Sequence, residues 1–347
     1  MADPNVKLSA LPKGSLILVT GGNGFIASHI IDLLLQLGFR VRGTIRAKKP
    51  WLDELLQQKY GPNSFESVVI PSLEEEGPID AAMQGVSGVV HVASDVSFGL
   101  DPAAVIGRAV KFIETILAVV KRHGSVKRFV LTSSSSAVII PKSNQAGVRV
   151  DERTWNDEAV KAAWDPQTPE KGKGYAIYAA SKTESERAAW KWVEKNKPGF
   201  TFNTVLPNYT IGENLSPEIP GSTSGWTRKL LNGERDIFSI FIPRENAEYY
   251  VSVADVARLH VIALLAPAVE NQRLFAFAAA FNLTEVIERF RVMHPENKKI
   301  PDPPQNEGHD LTEVIPAPRA EALLKEYFGT SGWDSLQDSL ESCVRGY

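Results

Sequence analysis

The feature that most constrains the fold of this chain is a glycine-rich turn between a short apolar run and a helical pattern. Residues 16–20 predict a buried strand, and residues 24–37 have the apolar spacing of a helix. The letters TGGNGFIA occupy positions 20–27 between them. A glycine motif alone is weak, but one that leaves a strand and opens a helix is typical of a dinucleotide-binding turn.

Each position in this turn has a physical role. Gly21 permits the tight turn, Gly24 lets the backbone approach a pyrophosphate, and Ala27 keeps helix and strand close. The helix N-terminus, with Phe25 and Ile26, then faces the phosphates. The alternative is an ordinary β-α turn. The strand-turn-helix context favours cofactor binding by Gly21, Gly24, Phe25 and Ile26.

Apolar strand-like runs alternate with longer helical patterns through the first half of the chain. Further strands are expected at 40–45, 67–70, 88–93, 128–132 and 200–206. A long helical stretch covers 101–123. This rhythm predicts an α/β fold, a Rossmann-type doubly wound parallel sheet with right-handed crossovers.

The composition of the chain changes after Pro207, where Pro, Gly and Ser become frequent. We therefore expect residues 1–206 to form mainly the dinucleotide-binding Rossmann domain. Residues 207–347 are expected to form mainly a smaller, mixed substrate-binding lobe, with about 249–265 returning to the Rossmann domain.

Composition excludes several classes of partner. The net charge is −3 and the pI about 6.1, which argues against binding to nucleic acid or an anionic membrane. The single cysteine, Cys343, excludes an internal disulfide framework and suits a reducing compartment. No apolar run is long enough for a membrane span, and the six histidines lack metal-ligand spacing. A soluble cytoplasmic protein without a metal, either monomer or homodimer, is expected.

The choice of cofactor can be argued from charge near the second strand. Chains that prefer NAD usually place an acid there, about 20 residues beyond the glycines, to bind the ribose 2′-hydroxyl. No acid lies between Asp32 and Asp53, whereas Arg46, Lys48 and Lys49 follow the strand. Arg46 with Lys49 or Lys48 would complement a 2′-phosphate. A solvated basic loop is the alternative, and the position favours NADPH or NADP.

Three further residues have the pattern of a proton-transfer site. Tyr178 and Lys182 are four residues apart, so on a helix they share one face. A nearby cation lowers a tyrosine's pKa from about 10, which allows proton transfer near neutral pH. Ser134 follows the predicted strand 128–132, where ligands bind in open α/β sheets. Alone, the pair could be chance and the serine a polar turn.

Together these motifs resemble the extended short-chain dehydrogenase/reductase superfamily, and its dihydroflavonol-reductase-like branch. Within that branch the chain most resembles the yeast and fungal NADPH-dependent aldehyde and carbonyl reductases. The resemblance covers nearly the whole chain. It rests on residues 19–29, 126–134, 178–184, 206–212 and 221–226.

The resemblance implies a role for each matching residue. Ser134 would hold and polarise the carbonyl, Tyr178 would be the general acid, and Lys182 would bind the nicotinamide ribose and lower the tyrosine pKa. Pro207 would line the nicotinamide, whose hydride would leave from the pro-S face. The remaining residues expected at the cofactor are Ser72, Ala93 and Ser222.

Two positions depart from the pattern of the family. Ser72, after Pro71, stands where relatives often carry an adenine-contacting Asp, so that contact would be weaker. Relatives often carry the motif Gly-Thr-x-Asn in the fourth helix, whereas this chain has Thr115 there. A proton relay through an asparagine at that position is therefore not expected.

The predicted substrate pocket is apolar. Phe98, Trp226 and Ile242 are expected to line it with Ser134 and Tyr178, which suits aryl or alkyl ketones and aldehydes. For the run 238–242 the alternative is the core of the lobe. The segment 242–248 looks longer than in relatives, which would alter the mouth of the pocket.

The function favoured by the sequence is NADPH-dependent reduction of small-molecule aldehydes and ketones, keto esters included. Two other hypotheses stay open. One is an epimerase or dehydratase of nucleotide sugars that retains NAD. The other is a non-catalytic NADP-sensing regulator that binds a protein partner.

Overall fold

The computed structural model describes residues 7–219, 221–241 and 248–345. Strands β1 to β12 are Leu16–Thr20, Arg40–Ile45, Phe65–Val69, Val86–His91, Arg128–Thr132, Arg149–Val150, Thr201–Pro207, Tyr209–Ile211, Glu248–Ser252, Arg273–Ala276, Ala279–Phe281 and Glu313–Val314. Helices α1 to α12 are Phe25–Gln36, Pro50–Tyr60, Glu76–Ala82, Pro102–Arg122, Asp157–Trp164, Glu170–Asn196, Ser222–Lys229, Asp236–Phe241, Val253–Leu265, Leu283–Met293, Ala317–Phe328 and Leu336–Cys343. Short 3-10 turns cover Ser135–Ala137 and Leu230–Asn232.

The large sheet has seven parallel strands in the order β10-β7-β5-β4-β1-β2-β3. The connections reverse direction between β1 and β4, which makes that point the topological switch of a doubly wound sheet. The predicted Rossmann-type fold is confirmed. Ligands of such sheets bind beyond the carboxyl ends of the strands.

Helices cover both faces of this sheet, as a parallel sheet requires. On one face α1, α9 and α11 bury residues such as Ile30, Ile262 and Leu323. On the other face α3, α4 and α6 contribute residues such as Ile116 and Ala189. Of the strands between them, β1, β5 and β10 are buried along their whole length.

Two predicted strands are placed slightly wrongly. The fourth strand ends at His91 and not at Ala93, because the Thr20 hydroxyl, and not a neighbouring strand, accepts the N–H groups of Val92 and Ala93. The third strand runs over Phe65–Val69, two residues before the predicted start, since Phe65 is buried and pairs with Val41.

The smaller lobe is built on the mixed sheet β11-β9-β8 and on α7, α10 and α12. Its β8 begins two residues after β7 ends, so the lobe lies at the carboxyl edge of the large sheet. The segment α9 packs against α1, and β10 joins β7 at the edge of the large sheet. The sequence analysis did not assign β10 to that sheet. We propose that the Rossmann domain and the smaller lobe divide between residues 206 and 207.

None of the helices in the described ranges is both long and apolar enough to span a bilayer.

Candidate active site

The glycine turn opens directly into α1 at the switch point. Gly21 has φ +70°, and a Cβ there would lie 3.2 Å from the Ala93 Cα atom. The Gly24 N–H donates to the Gly21 carbonyl at 2.8 Å, and no side chain caps α1 at Gly24. The first N–H groups of α1, at Phe25 and Ile26, thus keep the donors that an anion needs at a helix N-terminus.

Thr20 ties the turn to the end of β4. Its hydroxyl accepts the N–H groups of Val92 and Ala93, each at 3.0 Å, and so donates its one hydrogen to His91 Nδ1 at 2.8 Å. Burial lowers the pKa of His91 to about 3, so the imidazole is neutral. This network holds Ala93 against Gly21.

The basic loop after β2 is open. Arg46 is exposed and Lys49 half-buried, and within the described residues neither has an ion-pair partner. The two acids on either side of the loop are engaged elsewhere. Asp53 accepts the Ser67 N–H at 2.8 Å, and Asp32 accepts from Lys59 at 2.7 Å and from Tyr60.

Lys182 reaches the carboxyl end of β5 at Thr132, two residues before Ser134. Helix α6 has a break at Lys171 and Gly172, where the φ angle of Gly172 is +105°, and Tyr178 and Lys182 follow that break. The buried Lys182 ammonium donates to the Thr132 carbonyl at 3.4 Å. Burial lowers the pKa of Lys182 to about 8, while the charge of Glu186 acts in the opposite direction.

A cavity of about 30 Å³ lies beside Lys182, enough for a single water molecule. His91, Thr132, Ser133 and Ser185 are among its walls. Thr115 is not among them, and its buried hydroxyl has no hydrogen-bond partner in the part of the chain that the structure describes.

Ser134 is part of a chain of hydroxyls that the sequence analysis missed. Its Oγ accepts the Ser136 N–H at 3.1 Å and lies 3.2 Å from the Ser136 Oγ. The Ser136 Oγ is in turn 2.9 Å from the Tyr175 hydroxyl. The sequence does indicate Tyr175 by its spacing. It precedes Tyr178 by three residues and so shares the same helix face.

Phe98 lies against the same helix face. Its ring centroid is 5.2 Å from that of Tyr178 and 6.4 Å from that of Tyr175. Its φ angle is +53°, a strained value for a large side chain. Gly174 makes room for this conformation because it has no Cβ. A Cβ at position 174 would lie 2.7 Å from the Phe98 carbonyl oxygen.

The other predicted residues lie around the carboxyl edge and in the lobe. Ser72 is half-buried beyond β3, and its Oγ accepts the Glu74 N–H. Pro207 ends β7, and Ser222, exposed with a φ angle of +47°, begins α7.

Of the predicted pocket residues in the lobe, Trp226 packs half-buried against the lobe core, as does Phe238. For Phe238 this is the alternative that the sequence analysis left open. Ile242 and residues 243–247 lie outside the described residues.

Glu186 is a fully buried carboxylate that holds Ser133, the neighbour of Ser134, by a hydrogen bond. It accepts from Ser133 Oγ at 2.7 Å, Thr204 Oγ1 at 2.8 Å and Trp190 Nε1 at 3.3 Å, and it pairs with Arg273 at 2.8 Å. A cavity of about 510 Å³ lies on the far side of this pair. None of the predicted catalytic residues lines that cavity.

Comparisons with known proteins are consistent with this geometry. The model of the NAD dependent epimerase/dehydratase family matches residues 17–277. The ketoreductase nvfG of Aspergillus novofumigatus is 43% identical over 336 residues, covering 96% of this chain and 97% of that protein. Aldehyde reductase 2 of Sporidiobolus salmonicolor is 41% identical over 339 residues, covering 97% of both chains.

A solved structure extends the likeness to three dimensions. The yeast methylglyoxal/isovaleraldehyde reductase Gre2, complexed with NADPH, superposes with a TM-score of 0.76 at 25% identity. The match covers 95% of this chain and 97% of that chain.

Proposed function

We propose, from the premise that this chain belongs to the NAD dependent epimerase/dehydratase family, that it is an NADPH-dependent reductase of aldehydes and ketones. Relatives more than 40% identical over nearly the full length carry the names ketoreductase and aldehyde reductase. The observation that supports the proposal is the buried Lys182 ammonium at the Thr132 carbonyl, which lies at the sheet edge where the glycine turn also opens.

The residues of the turn and of the basic loop fit the cofactor. A Cβ at Gly21 would crowd Ala93, and the uncapped N-terminus of α1 provides donors for a pyrophosphate. Arg46 and Lys49 would hold the 2′-phosphate. Lys182 would bind the nicotinamide ribose, with Pro207 and Ser222 lining that end of the site. When bound, NADPH supplies the hydride.

The side chains divide the remaining chemistry. Ser134 donates a hydrogen bond to the carbonyl oxygen and so orients and polarises it. Tyr178 donates the proton that turns the developing alkoxide into the alcohol. The Lys182 charge favours the ionised phenol that remains. Phe98 packs on Tyr178, with the ring centroids 5.2 Å apart, and would shield this face of the phenol.

The pH dependence of the reaction follows from Lys182. Below its pKa of about 8 the ammonium is charged and assists Tyr178, whereas above that pH the charge is lost. We expect kcat/KM for reduction to fall above about pH 8, approaching tenfold per pH unit.

The variant Lys182→Arg distinguishes titration of Lys182 from titration of Tyr178 as the cause of the fall in kcat/KM. An arginine stays charged over this range, so the decline should move to higher pH, at a lower maximal rate. A profile whose descending limb is the same in wild type and Lys182→Arg would show that Lys182 does not set it.

Cofactor preference tests the basic loop. In the variant Arg46→Ala/Lys49→Ala the 2′-phosphate loses charge-assisted hydrogen bonds. We expect the KM for NADPH to rise roughly tenfold or more, with little change for NADH. The matched control is Arg40→Ala, since Arg40 is exposed at the opposite end of β2. Equal effects on NADPH and NADH would contradict the assignment.

The direct test of function is consumption of NADPH, followed by its absorbance, across aryl ketones, α-keto esters and aldehydes. A reductase oxidises NADPH in step with alcohol formation. Co-purified NAD with no net NADPH consumption would instead support the epimerase or dehydratase. Nucleotide binding without turnover of any carbonyl would support the sensor. We further propose a cytoplasmic location and a monomeric or homodimeric state.

A further inference from the structure

A loop of the smaller lobe, residues 213–219, follows β8 and lies against α1, the helix that opens at the glycine turn. The loop begins after Gly212, whose φ angle of +154° favours glycine, and a Cβ there would lie 2.6 Å from a methyl group of Val253. Within the loop, the Asn214 side chain donates to the Ile219 carbonyl at 2.8 Å. The turn at Gly212 and this hydrogen bond give loop 213–219 a defined shape, in which it returns from the lobe to α1.

Apolar side chains of this loop pack at the first residue of α1. Ile219 is buried in one cluster with Phe25, and Leu215 packs against that cluster. Trp51, two residues beyond Lys49 of the basic loop, packs against it as well. The cluster therefore extends from the helix N-terminus, where a pyrophosphate would bind, toward the loop that would hold the 2′-phosphate.

His29 joins α1 to the loop by a hydrogen bond. Its Nε2 lies 2.8 Å from the Glu213 carbonyl oxygen, which can only accept, so Nε2 carries the hydrogen. The His29 ring lies one turn after Phe25 and meets the Phe25 ring edge-on, with centroids 5.8 Å apart. Arg345 pairs with the Glu213 side chain at 3.0 Å, but Arg345 is exposed, so this pair contributes little. The buried contact that holds the start of the loop is therefore the one from His29.

We propose that His29 is a positioning residue for the dinucleotide, which holds loop 213–219 on the first turn of α1 and thereby slows cofactor release. This inference rests on the proposed cofactor site at the glycine turn. Phe25 couples the two, because its N–H would bind the pyrophosphate while its side chain packs with the loop. Without the His29 hydrogen bond the loop would separate from α1 more often and leave this turn less firmly held. The pyrophosphate is common to NADPH and NADH, so both should be affected equally.

The rate of cofactor release tests the proposal without any carbonyl substrate. The complex with NADPH or NADH is mixed with excess NADP in a stopped-flow instrument, and the loss of bound-nucleotide fluorescence gives koff. We expect His29→Leu to raise koff about 3- to 10-fold for both nucleotides, the effect of one lost hydrogen bond. His29→Gln should return koff close to the wild-type value, because its amide N–H can reach the Glu213 carbonyl.

A second histidine provides the matched control. His123 lies 3.0 Å from Asp80 and ends α4 at the opposite edge of the sheet, so His123→Leu should retain the wild-type koff. Wild-type koff in His29→Leu would overturn the proposal, as would a change for NADPH alone, which would place the effect at the 2′-phosphate. Equally fast release from His29→Gln and His29→Leu would also overturn it, since packing and not the hydrogen bond would then matter. A wild-type protein that binds neither nucleotide would overturn the cofactor site itself.

Discussion

The variant Tyr178→Phe is expected to lose nearly all carbonyl reduction while it still binds NADPH. Only the phenol oxygen is removed, and the ring can keep its packing 5.2 Å from that of Phe98. General acid catalysis by a positioned side chain contributes about 10²- to 10⁴-fold, so kcat should fall by that range. Single-turnover kinetics with saturating NADPH would measure the chemical step, and a fluorescence titration would measure NADPH binding.

The comparison with Tyr175→Phe makes this test specific. That variant removes a hydroxyl three residues away on the same helix face and leaves the Tyr178 hydroxyl in place, so its loss should be an order of magnitude or more smaller than that of Tyr178→Phe. A Tyr178→Phe protein that oxidises NADPH at the wild-type rate with its preferred carbonyl would eliminate Tyr178 as the acid. Loss of NADPH affinity alone would assign Tyr178 to cofactor binding.

The sequence predicted those parts of the fold and site that depend on local pattern. The turn at 20–27 and the strands β1, β2 and β5 are found where periodicity and glycine spacing placed them. These elements are continuous in the chain, and β1 and β5 are buried along their whole length, although Arg40 and Arg42 interrupt the apolar run of β2. The switch point follows from strand order, and it brings the glycine turn to the same sheet edge as Ser134.

The rest depends on contacts between residues distant in the chain. Nothing local indicates that β10 pairs with β7, since the partners lie beyond an intervening lobe. The left-handed Phe98 is possible only because Gly174 leaves room for its carbonyl. The hydroxyl chain from Ser134 to Tyr175 likewise exists only when β5 and α6 are packed together.

The contacts of Glu186 likewise join residues that are distant in the chain. Its carboxylate joins α6 to the residues after β5 through Ser133, to β7 through Thr204, and to β10 through Arg273. Its side chain is fully buried, and that of Arg273 is 6% exposed. The Arg273 guanidinium also donates to the carbonyls of Glu152 and Thr154, so it is satisfied only in the assembled sheet.

Removal of this carboxylate is expected to have the largest effect on stability. In Glu186→Ala the Arg273 charge stays buried without its counter-ion, and the Ser133 and Thr204 hydroxyls lose their acceptor. Breaking a buried pair by removing one partner costs about 3–5 kcal/mol in the free energy of unfolding. Equilibrium unfolding in urea would measure it. Because Ser133 adjoins Ser134, kcat should fall as well.

The surface pair on the same helix provides the matched control. Glu184 pairs with Arg187 at 2.6 Å, but both side chains are partly exposed, so Glu184→Ala should cost only about 0–1 kcal/mol. The double variant Glu186→Leu/Arg273→Met removes both buried charges and should recover part of the loss. If Glu186→Ala were no less stable than Glu184→Ala, or if the double variant were the sum of its singles, the buried pair would not be what joins β10 and α6.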